Sequence, residues 1–209
     1  MTTPGKFIVV EGLEGAGKST VISAISDVLH AHQIPFVLTR EPGGTPMAEA
    51  IRECVKHDWQ DEQVTEQTEL LLMYAARSQL VENRIKPNLA QGHWVVGDRH
   101  DWSSLAYQGG GRQVNQAHLK AIRELTLDGF TADLTIYLDI DPQVGLERAR
   151  TRGELDRIEQ SGIAFFERAR DTYLSLVAQT DSALLVDASQ SIADVRDTVI
   201  QHVQAFVKG

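Results

Sequence analysis

The stretch EGLEGAGKST, residues 11–20, follows directly on the apolar run KFIVV. Its Gly12, Gly17, Lys18 and Ser19 fit the spacing G-x-x-x-x-G-K-[ST]. No other part of the chain limits the fold so strongly, because this pattern works only where a buried strand delivers a glycine turn onto the start of a helix. The glycines let backbone N–H groups turn inward around phosphate oxygens, and the helix adds its positive N-terminal end. Lys18 is expected to reach the β- and γ-phosphates, and the Ser19 hydroxyl to bind Mg²⁺. Gly12, Leu13, Glu14, Gly15, Ala16, Gly17, Lys18, Ser19 and Thr20 are the expected cradle for a nucleoside triphosphate. Motors, switches and kinases share such a cradle, so it names a ligand and not a reaction. It also poses a charge problem: Glu11 and Glu14 sit beside an anion site that holds one cation, Lys18.

Five short apolar runs read as buried strands: KFIVVE at 6–11, FVLTR at 36–40, WVVGD at 94–98, LTIYLD at 134–139 and ALLVDA at 183–188. Each is continuous rather than alternating, as in parallel strands covered on both faces. Helical spacing separates them. Val21, Ile25, Val28 and Leu29 repeat on one face, as do Ile192, Val195, Val199, Val203 and Phe206. The stretch 65–91 is rich in helix formers, with Pro87 placed to kink or end it. EPGGTP at 41–46 and QGGGR at 108–112 read as loops. Strands alternating with helices predict a doubly wound α/β fold whose ligands gather at the carboxyl ends of the strands. No repeat or linker divides the 209 residues, so a single domain, 1–209, is expected.

Composition excludes some partners. A net charge of -9 argues against bulk electrostatic binding of nucleic acid, so a bound anion must meet local positive charge. No run approaches the roughly 18 apolar residues of a membrane span. MTTPGK leads into the first strand without a signal-peptide pattern. The one cysteine, Cys54, cannot build a disulfide framework and is expected as a small core residue. A cytoplasmic protein without membrane or nucleic-acid partners is the expectation.

Asp98 ends an apolar strand, where a carboxylate can hold a Mg²⁺ shell. Arg99 follows, and a guanidinium there suits bidentate phosphate binding. ERARTRGELDRIE, 147–159, concentrates Arg148, Arg150, Arg152 and Arg157. On one helix Arg148 and Arg152 share a face while Arg150 points away, so all three grip one phosphate only if the helix breaks near Gly153.

Taken together, EGLEGAGKST, TREPGGTP, LLLMYAARSQ, GDRHDWSSLAYQGGGR, DLTIYLDIDPQVGLERARTRGELDRIE and the closing VDAS resemble bacterial thymidylate kinases, from about residue 5 to 207. The resemblance implies a P-loop kinase with a five-stranded parallel sheet flanked by helices, a mobile lid at about 147–159, and a homodimer. It implies transfer of the γ-phosphoryl of ATP to dTMP, giving dTDP and ADP, with Mg²⁺. Carried over position by position, Glu14 contacts the sugar 3′-hydroxyl, and Arg52 and Arg99 bind the dTMP phosphate. Arg77 hydrogen-bonds thymine, Ser104 and Gln108 line the base, and Tyr107 crowds the 2′ position. Lys18, Arg99, Arg152 and Arg157 are the implied catalytic cations, with Arg148 beside ATP and Ser19 and Asp98 at the metal. One departure stands out: where many members stack a phenylalanine on thymine, this chain has Met73, followed by Tyr74. Either residue is placed to cover the base. Arg40 faces the acceptor phosphate or holds its loop through a carboxylate such as Glu41, and Glu11, a strand-end residue, is left open to pairing with a nearby Lys or Arg. Adenine would rest on backbone near Ser189 and Gln190.

Two other readings remain. A nucleotide-dependent switch would lack a small acceptor, which the dense acceptor constellation opposes. A kinase for a different nucleoside monophosphate, or for a nucleoside, would share the cradle; Arg52 and Arg99 favour a substrate that already carries phosphate.

Overall fold

All five apolar runs fold as strands of one parallel sheet. The computed structural model describes residues 4–60, 62–151 and 156–209. The strands are β1 (Phe7–Gly12), β2 (Phe36–Arg40), β3 (Trp94–Asp98), β4 (Leu134–Asp139) and β5 (Ala183–Asp187), in the order β2-β3-β1-β4-β5. Register sets Val10 opposite Asp98 and Gly12 opposite Leu138, so the ends of the three central strands open on one crevice.

Among the described residues the helices are α1 (Lys18–Ala31), α2 (Pro46–Lys56), α3 (Glu66–Leu80), α4 (Lys86–Ala90), α5 (Asp101–Ser104), α6 (Gln116–Leu127), α7 (Pro142–Arg150), α8 (Ile163–Ala178) and α9 (Ile192–Lys208). Alternate residues of β1 point to opposite faces, and both faces are covered. Ile8 and Val10 join Val21, Ile25 and Leu29 of α1, Phe166 and Tyr173 of α8, and Val199 and Val203 of α9. Phe7 and Val9 join Leu70, Tyr74 and Leu80 of α3 and Leu119 of α6. Two cores, one on each face, are the reason β1 is apolar without alternation and buried throughout.

Three expectations change. Pro87 neither kinks nor ends the 65–91 stretch. The helix widens into a π-helical turn at Val81–Ile85, and α4 restarts with Pro87 in its first turn, where a missing N–H costs nothing. Gly109–Gly111 belong to a second π-helical segment, Leu105–Gly111, rather than a loop. Gly110 and Gly111 are glycines because α8 lies against them: a Cβ on Gly110 would meet Thr172, and one on Gly111 the Phe165 ring, while one on Gly109 would meet Leu119 of α6. Cys54, expected inside, is exposed, since α2 turns Ala48 and Val55 inward instead.

Candidate active site

The phosphate loop is built as its sequence requires. Gly15 and Gly17 have φ of 73° and 91°, in the left-handed region that favours glycine. Gly15 also allows close packing: a Cβ there would run into Gly145 of α7, and one on Gly145 into the Glu14 carbonyl. No side chain caps α1 at Gly17, so its first N–H groups stay free for an anion. Lys18 Nζ donates to the Gly12 and Leu13 carbonyls at 3.1 and 3.0 Å. Burial, with Arg99 nearby, pushes its pKa down to about 8. Ser19 and Thr20 are exposed at the start of the helix.

Beyond the loop lies a pocket that gathers residues from distant parts of the chain. Glu14 and Lys18 line it together with Arg52 of α2, Met73 and Arg77 of α3, Asp98 at the end of β3 and Arg99 after it, Ser104 of α5, and Tyr107 and Gln108 of the π-helical segment. Asp156, Ile158 and Glu159 form part of its wall.

Arg99 has φ of 70°, uncommon for a side chain of this size, and its guanidinium is clamped from two sides. Nη2 donates to Glu14 Oε1 at 2.6 Å and to Tyr107 OH at 3.1 Å; Nη1 donates to Ser103 Oγ at 3.1 Å and Tyr173 OH at 3.4 Å. Burial opposes the Arg99 charge, but Tyr107 and Glu14 hold it on. Burial alone would raise the Glu14 carboxyl; Arg99, Lys18 and the Tyr107 hydroxyl outweigh it and bring it below the usual range. Arg52 donates to the Pro42 carbonyl at 2.8 Å and forms no ion pair among the described residues. Burial and the neighbouring Arg40 weaken its hold on its proton.

Arg77 is buried and works in two directions. Nε donates to Glu41 Oε2 at 2.7 Å and Nη2 to the His100 carbonyl at 3.0 Å, while Nη1 has no hydrogen-bond partner and stands 3.9 Å from Asp101 Oδ1. Met73 and Tyr74 differ in position. Met73 lines the pocket, whereas Tyr74 is buried, donates to Asp101 Oδ1 at 2.9 Å and lies against the Arg77 guanidinium. Arg40 holds its loop, but through Glu49, whose Oε1 also accepts the Gly44 N–H at 2.7 Å.

The basic segment divides. Helix α7 ends at Arg150. Arg148 Nη1 reaches the Gly15 and Ala188 carbonyls at 3.5 and 3.4 Å, joining the phosphate loop to the end of β5. Arg157 points away from the loop: Nε donates to the Val55 carbonyl at 3.0 Å, and Nη2 sits 2.7 Å from Glu69 Oε2, a charge contact without hydrogen-bond alignment. Buried Glu69 also accepts from Gln108 and Arg112, and so binds the pocket wall together. Arg152 lies outside the described residues.

The donor set suits a Mg²⁺ that keeps most of its water. Among the described residues no group of three His, Cys, Asp or Glu is placed to hold a metal. Asp98, however, lines the pocket, and its Oδ1 is buried without a hydrogen-bond partner among the described residues. One carboxylate with a serine hydroxyl and substrate phosphates is a common Mg²⁺ environment.

A family model described as thymidylate kinase matches residues 10–199. The chain belongs to the thymidylate kinase family. It is 62% identical to the thymidylate kinase of Alteromonas mediterranea, over 97% of this chain and 91% of that protein. It is 56% identical to that of Shewanella loihica over 95% of each, and 53% identical to that of Idiomarina loihiensis over 97% and 98%.

Sequence reasoning missed several members of the polar network under this pocket. Glu11, Ser103 and Tyr173 meet under Arg99 although 162 residues separate Glu11 from Tyr173. The one local sign was a carboxylate at the end of a strand otherwise wholly apolar. Glu69 had no sign at all.

Proposed function

We propose that the chain carries out ATP-dependent phosphorylation of dTMP to dTDP with the residues of this pocket in the following roles. The observation that carries the assignment is that Lys18 of the phosphate loop and Arg77 of the base wall line one cavity. A donor on the loop and a nucleotide against Arg77 would therefore meet end to end.

The acceptor phosphate takes Arg52, which has no ion pair among the described residues, and Arg99, which exchanges Glu14 for it. Glu14 then accepts the sugar 3′-hydroxyl. Thymine lies on Met73, with Gln108 and Ser104 at its edge and the unpartnered Nη1 of Arg77 donating to it; a buried donor left unpaired is costly, so the site favours a base that fills it. Tyr107 disfavours a ribose.

The acceptor oxygen is already anionic, so no side chain acts as a strong base, and the protein contributes positioning and charge neutralisation. ATP occupies residues 12–20. Ser19 and Asp98 would hold Mg²⁺, which when bound would neutralise charge at the phosphates. Arg148 and Arg152 close on the donor phosphates from a lid at about 147–159; Arg157 joins them by leaving Glu69. Residues 1–209 form one domain, the protein acts as a homodimer in the cytoplasm, and nucleic acid is not a partner. Among the described residues, no helix is long and apolar enough to cross a membrane.

ADP release over a panel of dTMP, dUMP, UMP, CMP, AMP and thymidine, with and without Mg²⁺, tests the assignment. dTMP should lead and thymidine fail. Equal turnover of thymidine would defeat it, because Arg52 and Arg99 would then have no phosphate to bind.

A further inference from the structure

Glu11 closes β1 directly beneath Arg99 and has no exposed surface. Its Oε1 accepts the His100 and Ser103 N–H groups at 2.8 and 3.2 Å. Its Oε2 stands 2.6 Å from Ser103 Oγ and 2.9 Å from Tyr173 OH, and those two hydroxyl oxygens are 2.9 Å apart. The three oxygens form a closed triangle with every edge at hydrogen-bond length.

Three such edges need three protons. The two hydroxyls bring one each. An ionised carboxylate is acceptor-only and brings none. Arg99 does not make up the deficit, because its Nη1 approaches Ser103 and Tyr173 from outside the triangle and spends its own protons on them. With Glu11 ionised, one edge would set two oxygen lone pairs face to face. With Glu11 protonated, each oxygen donates once around the ring, and Ser103 and Tyr173 keep lone pairs for Arg99.

We propose that Glu11 is a neutral carboxylic acid, and that it forms with Ser103 and Tyr173 an uncharged ring that positions the Arg99 guanidinium for the acceptor phosphate. The inference rests on the role given to Arg99 above. Neutrality has a purpose at an anion site. Arg99 already faces the counter-charges of Glu14 and Asp98; another directly beneath it would cancel more of the positive charge the phosphate needs. Burial, the strongest influence on Glu11, pushes its carboxyl up against the opposing pull of Ser103 and Arg99. The charged and titratable groups around it are Arg99 and His100 from the turn after β3, Lys18 from α1, Tyr137 from β4 and Tyr173 from α8. Glu11, Ser103 and Tyr173 are positioning residues, since they act through Arg99.

Infrared difference spectroscopy of the whole protein at pH 7, wild type against Glu11→Gln, reads the proton directly. The carbonyl stretch of a buried carboxylic acid is expected in the wild type and absent from the variant. If Glu11→Gln does not fold, Ser103→Ala serves as the reference, because losing a ring partner shifts the same band. A wild-type spectrum with only carboxylate bands overturns the proposal. Kinetics test the positioning. Tyr173→Phe should raise KM for dTMP about tenfold, the loss of one hydrogen bond, while KM for ATP holds. Unchanged values, or equal changes in both, overturn the positioning role. Arg99→Ala, run alongside, separates the two levels. If it leaves dTMP binding intact, the reading of Arg99 is wrong and the ring has no target. If it abolishes dTMP binding while Tyr173→Phe is silent, the ring alone falls.

Discussion

Arg99 Nη2 lies 2.6 Å from Glu14 Oε1, so the free site holds its acceptor cation against the phosphate loop's own carboxylate. The charge problem of the loop sequence is thereby divided. Glu14 is ionised and occupied with Arg99 until a phosphate takes its place; Glu11 lies underneath, on neutral partners. An arriving nucleotide must offer Arg99 a better anion and Glu14 a new donor. In the roles proposed above, the 3′-hydroxyl is that donor.

Discrimination at the sugar should therefore depend on Glu14. A hydrogen bond to a charged acceptor contributes roughly 1.5–3 kcal/mol, so the wild type should prefer dTMP over its 3′-deoxy analogue by about 10- to 100-fold in kcat/KM. Glu14→Ala should lower kcat/KM for dTMP to the level of the analogue and leave the two nearly equal. Persistent discrimination in the variant would place the 3′ contact on another residue.

Met73 should set the strength of the base contact. It is half-buried, lines the pocket and packs on its other side against the main core, so Met73→Ala removes packing against the ring and part of a core contact. Losing that surface should weaken dTMP binding by about 1–2 kcal/mol, roughly tenfold in Kd, by calorimetry. Tyr74→Ala should instead act on stability, since Tyr74 has no exposed surface and is tied to Asp101. A thermal melt beside the binding titration distinguishes the two. A binding loss from Tyr74→Ala without a change in melting would reverse the assignment.

Chelation should stop turnover without releasing the acceptor. Asp98 is the one pocket carboxylate with a buried oxygen lacking a hydrogen-bond partner among the described residues. Asp98→Asn keeps the shape and removes the charge, so kcat should fall about 100-fold. dTMP affinity, measured without ATP, should stay within about twofold, because the acceptor's cations are arginines. Loss of dTMP binding on adding EDTA would mean the ion belongs to the acceptor side.

The sheet could be read from sequence because parallel strands covered on both faces leave continuous apolar runs, and Phe7–Gly12 is such a run with helices over each side. The phosphate loop was legible because its glycines and Lys18 act through backbone geometry over eight consecutive residues. Less local features were harder. Gly109–Gly111 have the composition of a loop; only the contacts with α6 and α8 show that they are small in order to let helices approach. Nothing in ERARTRGELDRIE tells that Arg157 meets Glu69, because the pairing joins the segment to a helix about ninety residues earlier. Met73 against Tyr74 turned on helix rotation, which a one-residue step in sequence leaves open and α3 packing decides.

Glu69 should make the fold acid-sensitive. Burial would raise its carboxyl, but hydrogen bonds and charge from Arg112, with Gln108 and Arg157, bring it below the usual value of 4.5. A depressed pKa means the unfolded chain binds its proton first. The stabilisation is thus fully present above about pH 4.5 and is lost as pH falls through the lower folded value. Glu69→Gln removes a buried charge from between arginines, which are themselves partly exposed. The cost should be roughly 2–3 kcal/mol at pH 7, or about 5–10 °C in Tm. Melting curves between pH 7 and 3.5 should show the gap between wild type and variant narrowing on the acid side. A gap that stays constant over this range would mean that the Glu69 charge contributes nothing and that packing alone explains the loss.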